Sequence, residues 1–354
     1  MGQGSVPREK SLSSGSGREG EIAEPGRAGA MGQGSVSAEP GRAGAIGILA
    51  MRCRKCPSKA VLSIPRHHTA FCRTCLTEFV TKQIERAIHE ETMFTKSDRV
   101  LVAVSGGKDS LTLLDVLHRL EYDTAALYVD LGIGEYSRAS KSKVQQFCET
   151  RGITLHVHEV QEDEGAGIND LAIRLHRPAC SACGTIKRYH FNRTAVEQGY
   201  TVLATGHNLD DEAARLLGNV LHWQTEYLQK QGPSLPGSLE GFAKKVKPLY
   251  RLAEREVAAY AIVNGLDYIV EECPNAKGAK MLLYKDTLNR LEAESPGTKQ
   301  MFYWGFLTRQ KTENPGLSMA ENDQAMLHPC VKCSQPTTSE ICGYCRMMSR
   351  AETR

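Results

Sequence analysis

RVLVAVSGGKDS, residues 99–110, decides the fold of this chain. A short apolar run of the kind that forms a strand buried on both faces leads directly into a glycine-rich turn. LTLLDVLHRL (111–120) then continues as a helix. Glycines at 106 and 107 let the backbone approach a phosphate closely. The N–H groups of the loop and of the first helical turn then point at the anion, helped by the helix dipole. Ser105 and Ser110 add hydroxyl donors. The pattern is not the G-x-x-x-x-G-K-[ST] loop of γ-phosphate transfer. Lys108 is followed by Asp109, which suits pyrophosphate held with Mg²⁺. An ordinary glycine turn between strand and helix is the plain alternative.

Working outward, strand and helix patterns alternate. AALYVDLG (125–132), TLHVHEV (154–160) and TVLATGHN (201–208) read as strands. Residues 141–151, 183–198, 209–221, 254–264 and 281–294 read as helices, and a further strand end is expected at 268–270. Upstream, residues 78–94 form a helix with Phe79, Ile84, Ile88 and Met93 on one face. The polar stretch 229–247 reads as a surface loop. This alternation predicts an α/β fold, a doubly wound, Rossmann-like parallel sheet covered on both faces. Such a sheet binds nucleotides at the carboxyl ends of its strands. Ala103 and Val129 are therefore expected at the adenine, with Gly206-His207-Asn208 as a third edge of the crevice. Asp210, Asp211 and Glu212 open a helix, where they complement its dipole or hold Mg²⁺ or a proton.

The chain has 354 residues, 41% of them hydrophobic and 24% charged, as in globular proteins that dissolve in water. With 44 basic and 41 acidic residues, any binding of nucleic acid must come from local patches. No run is long and apolar enough to span a bilayer and the N-terminus has no signal-peptide core, so a cytoplasmic protein without a membrane partner is expected. Residues 1–50 repeat themselves: MGQGSV begins at Met1 and Met31, and AEPGRAGA at Ala23 and Ala38. They show no periodic apolar pattern and read as a flexible or disordered tail, or as translated upstream sequence before a start at Met51.

Twelve cysteines in a chain of this size point to metal or catalysis rather than disulfides. Cys53, Cys56, Cys72 and Cys75 form C-x₂-C-x₁₅-C-x₂-C, and Cys330, Cys333, Cys342 and Cys345 form C-x₂-C-x₈-C-x₂-C. Both have the spacing of structural zinc sites. The expected layout is an extension at 1–50, a zinc finger at 51–78, a catalytic domain at 79–325 and a second zinc finger at 326–350. Arg52, Arg54, Lys55, Arg66 and Arg73 decorate the first finger, and Arg346, Arg350 and Arg354 the second. They either follow an RNA backbone or keep the fingers soluble.

Three further cysteines remain. Cys180 and Cys183 form C-x-x-C, and Cys273 lies far away beside the expected strand end. Above a doubly wound sheet the two places can meet. Three thiolates can hold an iron–sulfur cluster with one iron left open for sulfide. Alternatively, one thiolate carries a persulfide that another resolves. Lys187, one turn after Cys183, is placed to meet phosphate or a developing oxyanion. Cys148 is read as a thiol without a role.

From Met51 onward the sequence resembles the TtuA group of tRNA 2-thiouridine synthetases, PP-loop ATP pyrophosphatases related to the wobble-uridine thiolases. The resemblance rests on the two quartets, SGGKDS, LGIGEYS at Leu131, ACSACG at Ala179, ATGHNLDDEA at Ala204 and EECPNAKGAK at Glu271. It implies an enzyme that adenylates the C2 carbonyl of the T-loop 5-methyluridine, position 54, and replaces that oxygen with sulfur. It further implies a homodimer and a ubiquitin-like sulfur-carrier protein that delivers a thiocarboxylate. The implied ATP site comprises Ala103, Ser105, Gly106, Gly107, Lys108, Asp109, Ser110, Val129, Lys187 and Gly206, with Asp211 and Lys187 catalytic. The implied [4Fe–4S] ligands are Cys180, Cys183 and Cys273. Wobble-uridine thiolation, and a PP-loop ligase that uses no cluster, are the alternatives.

Overall fold

A computed structural model describes residues 51–237, 241–276, 278, 280–313 and 327–352. The expected extension at 1–50 and the expected boundary at residue 325 lie outside the described residues.

The chain opens with a small hairpin, β1 (Leu62–Ile64) and β2 (Thr69–Phe71), followed by α1 (Arg73–Glu90). The central unit then runs β3 (Arg99–Val104), α2 (Lys108–Arg119), β4 (Asp123–Asp130), α3 (Gly134–Glu149), β5 (Thr154–Glu159), α4 (Val160–Asp163), α5 (Ile168–Arg174), α6 (Ala179–Glu197), β6 (Val202–Thr205) and α7 (Leu209–Leu221). After α8 (Thr225–Gln229), two short strands, β7 (Ser234–Leu235) and β8 (Lys244–Val246), complete the sheet. Three helices come next: α9 (Glu254–Val263), α10 (Lys280–Glu294) and α11 (Thr298–Glu313). A second small hairpin, β9 (His328–Pro329) and β10 (Pro336–Thr337), and α12 (Gly343–Glu352) end the described chain.

The sheet order is β5-β4-β3-β6-β8-β7, parallel except for the edge strand β7. It is the doubly wound α/β sheet expected from the alternating pattern. Strand β3 is buried from Val100 onward because it is covered on both sides. Val100, Val102 and Val104 face the helices α1, α2, α3 and α9, while Leu101 and Ala103 face α6. Strand order reverses at β3, whose neighbours are β4 and β6, so the crevice opens beyond its carboxyl end.

Several element boundaries differ from the sequence expectation. The stretch 229–247 was expected as a surface loop but contributes β7 and β8 to the main sheet. These strands are two and three residues long, too short and too polar to show an alternation. No strand forms at 268–270; instead the Ile269 N–H donates to the Gly106 carbonyl at 2.9 Å. Helix α1 begins at Arg73 and α6 at Ala179, each earlier than its apolar periodicity begins. Their first turns are spent on cysteines, which do not contribute to an amphipathic stripe. Helices α4, α5, α8, α11 and α12 were not anticipated.

Buried charge ties the layers together. The Asp115 side chain, 1% exposed on α2, accepts from the Tyr260 hydroxyl of α9 at 2.8 Å. It also pairs with Arg119 at 2.8 Å and with Arg151 at 3.2 Å. Arg66, expected on the surface of the first finger, instead forms a buried pair with Glu256 at 2.7 Å and docks that finger onto α9. Removing Asp115 strands two guanidinium groups and a buried phenol. Asp115→Ala is expected to lower unfolding free energy by about 3 kcal/mol, read as a lower urea midpoint at unchanged slope.

Candidate active site

The turn between β3 and α2 is built by steric necessity. Gly106 has φ +78°, and a Cβ there would lie 2.9 Å from the Ser140 carbonyl of α3. A Cβ on Gly206, at the end of β6, would lie 2.8 Å from the Ser110 nitrogen. Both glycines therefore permit main-chain contact between elements. Gly107 differs: it caps α2 with φ −80°, and its Cβ would meet nothing nearer than the Ser105 Oγ at 3.4 Å. The space beside it is open to a ligand. Ser110 Oγ closes the turn, accepting from Ser105 N–H at 3.1 Å and donating to the Gly107 carbonyl at 3.1 Å. Ala103 and Val129 lie buried near the carboxyl ends of the adjacent strands β3 and β4.

A relay of alternating charges borders the turn. Lys108 Nζ bonds Glu254 at 2.7 Å and Asp109 at 3.1 Å. Lys285 Nζ bonds Asp211 at 2.6 Å and Glu254 at 3.1 Å. Asn208 Nδ2 donates to Asp109 at 3.1 Å, while Asn208 and Asp211 cap α7 reciprocally. Burial raises the Asp109 carboxyl, Lys108 opposes this, and Asp211 and Glu254 raise it further. Burial would lower the Lys108 ammonium, but Asp109 and Glu254 outweigh it and hold it charged. Asp211 is the member of the acidic trio that belongs to this network. Asp210 pairs with Lys299, accepts from the Glu254 N–H at 2.8 Å and lines the cavity beside it, whereas Glu212, fully buried, takes Lys247 at 2.6 Å. His207 is held neutral by burial and by Arg215, with Nδ1 2.8 Å from Thr205 Oγ1. Glu254 and Lys285 were missed by sequence reasoning, and no local signal marks them: they reach the turn from 146 residues away and through a separate helix. A cavity of about 530 Å³ opens beside Lys108 and Glu254 toward Leu62–Arg66 of the first finger.

The structure brings the three remaining cysteines to the same end of the sheet. Cys180 and Cys183 occupy the first turns of α6, and Cys180 Sγ donates to the Asn275 carbonyl at 3.0 Å, two residues beyond Cys273. Cys183 and Cys273 pack with Tyr136 against Val129, Leu131 and Ile133, at the carboxyl end of β4 and just beyond it. Burial raises the Cys183 thiol, Lys187 pulls it back, and Cys273 and Cys180 raise it again. Among the described residues no carboxylate forms a salt bridge with Lys187. The segment carrying Cys273 is tied to the phosphate turn by the Ile269–Gly106 bond. These three sulfurs are not among the groups whose ligand atoms all lie within 4.8 Å, the spacing of a single ion. Cys148 is buried, and burial pushes its thiol up to about 11, as befits a packing residue.

Both quartets do meet the single-ion spacing. Cys56 and Cys72 sulfurs are 3.5 Å apart, Cys75 and Cys56 3.8 Å, and Cys333 and Cys342 3.7 Å. Tetrahedral thiolate coordination at metal–sulfur bonds near 2.3 Å requires about 3.8 Å. Burial alone would raise the Cys53 thiol, but N–H groups of Cys72, Lys55 and Cys56 bring it down to about 6. Cys330 is likewise raised by burial and brought down to about 6 by N–H groups of Cys342, Lys332 and Cys333. In both modules the second C-x-x-C enters a helix, α1 or α12.

Residues 76–277 match the PP-loop domain family, and residues 52–77 match the N-terminal LIM domain of the 2-thiouridine synthetase TtuA. The chain is 48% identical, over 84% of its length and 91% of the relative's, to the tRNA-5-methyluridine(54) 2-sulfurtransferase of Thermus thermophilus. It is 43% identical to the Pyrococcus horikoshii protein of the same name, over 84% of this chain and 93% of that one. Among solved structures it resembles the U34-tRNA thiolase NcsA from Methanococcus maripaludis with its [4Fe-4S] cluster, at 27% identity and a TM-score of 0.66. That match covers 75% of this chain and 90% of the other.

The two kinds of glycine separate experimentally. Gly107→Ala is expected to keep the wild-type melting temperature while weakening ATP binding at least tenfold, about 1.4 kcal/mol, by isothermal titration. Gly206→Ala is expected to lower the melting temperature, because its Cβ has no room.

Proposed function

Because this chain belongs to the TtuA family of PP-loop tRNA 2-thiouridine synthetases, we propose that it adenylates the C2 carbonyl of 5-methyluridine 54 in tRNA and replaces that oxygen with sulfur. The observation that carries the reading is the placement of three thiols at the carboxyl edge of the sheet, tied to the phosphate turn. The identity to the position-54 enzymes, well above that to the wobble-uridine thiolase, favours the T-loop nucleotide.

An amide-like oxygen is a poor leaving group, so the reaction needs it esterified to AMP first. ATP docks with its phosphates on the N–H groups of residues 106–110, Ser105 and Ser110 adding hydroxyls. Lys108 neutralises the departing pyrophosphate. Asp109 and Asp211 offer the hard oxygen donors that Mg²⁺ prefers. The C2 oxygen attacks the α-phosphorus, pyrophosphate leaves, and a sulfur nucleophile then displaces AMP. Lys187, one turn from Cys183, stabilises the phosphate charge that builds during both displacements. Cys180, Cys183 and Cys273 would hold a [4Fe–4S] cluster, which would supply an iron open to exogenous sulfur. A ubiquitin-like carrier ending in a thiocarboxylate is the proposed sulfur donor, acting on a cytoplasmic homodimer. The two quartets are assigned zinc, the ion that closed tetrahedral thiolate sites favour.

Cys180→Ala, Cys183→Ala and Cys273→Ala should each abolish 2-thiolation, monitored by mass spectrometry of tRNA digests, while ATP binding persists. Full thiolation by all three variants would overturn the thiol assignment. Cys72→Ala is expected to remove one equivalent of zinc per chain by atomic absorption and to lower the melting temperature, since the segment has little core of its own.

A further inference from the structure

A second concave site lies between the C-terminal metal module and the corner from α5 to α6. It encloses about 230 Å³ and is lined by Arg177, Gly343, Arg346, Met347 and Arg350. Three guanidinium groups from two separate parts of the chain face this space, and among the described residues that line it none is acidic. Arg346 and Arg350 are one helical turn apart on α12, where like charges repel. Arg177 is oriented by a hydrogen bond from its Nη2 to Ser181 Oγ at 2.6 Å. Ser181 lies between Cys180 and Cys183 in the first turns of α6. Gly343, Arg346, Met347 and Arg350 fall at helical spacing on one face of α12, so the space runs along that face.

The site is rigidly mounted. Tyr344 of α12 stacks on Tyr189 of α6, with ring centroids 3.6 Å apart and planes 5° from parallel. The Tyr344 hydroxyl also donates to Glu164, just past α4. The module's helix is therefore fixed against the helix that carries two of the thiols, and the arginines converge before any ligand arrives.

We propose that this cavity is a phosphodiester site for the RNA substrate, gripping a backbone phosphate on the strand that carries the target nucleotide. Planar guanidinium forks match the paired oxygens of a phosphate, and each neutralised phosphate releases counterions. A phosphate seated there is held by Arg177, three residues before Cys180. It fixes the register of the RNA while the base edge is read elsewhere. The inference rests on the tRNA reading above.

The test is binding of an unmodified tRNA transcript across a potassium chloride series, by filter retention, to the full chain with its metals loaded. Arg346→Ala, and Arg177→Ala combined with Arg346→Ala, are expected to weaken binding about tenfold or more at 0.1 M salt. The plot of log affinity against log salt is expected to be shallower by about 0.7 to 0.9 for each phosphate no longer neutralised. Arg346→Lys is expected to retain most of the salt slope. ATP affinity and zinc content are expected to stay unchanged. Affinity and slope identical to wild type in the double variant would overturn the site. If wild type thiolates tRNA while the variants bind unchanged, this inference fails and the proposed function stands. If wild type binds tRNA through these arginines yet modifies no uridine, the function fails and this site stands.

Discussion

The central constraint is that polypeptide backbone must approach a polyphosphate with nothing between. That demand places glycines at 106 and 107, the first with a left-handed φ and the second with free space beside it. It also brings β6 so near the start of α2 that position 206 has no room for a Cβ. Around this bare backbone, charge is arranged so that it needs little rearrangement on binding. Lys108 and Lys285 share Glu254, and Asp109 and Asp211 terminate the relay. The lysines are held charged and in place, and the half-buried Asp109 carboxyl is left raised, ready to be relieved by a cation.

Much of this was legible in the sequence because it is local. A strand buried on both faces shows as an unbroken apolar run, and the phosphate turn shows as glycines at fixed offsets from it. The quartets show as spacing, since four thiolates on one ion need only two short knuckles. What escaped notice is what only tertiary structure assembles. Strands β7 and β8 are polar and very short, and are strands only because the sheet offers them an edge. Glu254 and Lys285 look like ordinary helix-surface residues until α9 and α10 pack beside the turn. The trio 210–212 looked uniform, yet Glu212 is an interior ion pair, Asp211 joins the charge relay and Asp210 braces Glu254 at the cavity wall.

Helix starts recur as places where cysteine is used. Cys72 caps α1 and Cys75 lies in its first turn, Cys180 and Cys183 lie in the first turns of α6, and Cys345 lies in that of α12. Helix beginnings expose unpaired N–H groups and a positive dipole end, but burial outweighs them here and the thiols of Cys75, Cys183 and Cys345 are raised.

The hydrogen bond from Ile269 to Gly106 joins two segments that are far apart in sequence. One end is the turn that receives the nucleotide, and the other leads within four residues to Cys273. One main-chain bond and four residues of irregular chain are all that separate the bare glycine turn from the third sulfur, so a nucleotide and a group held at that thiol would be near neighbours.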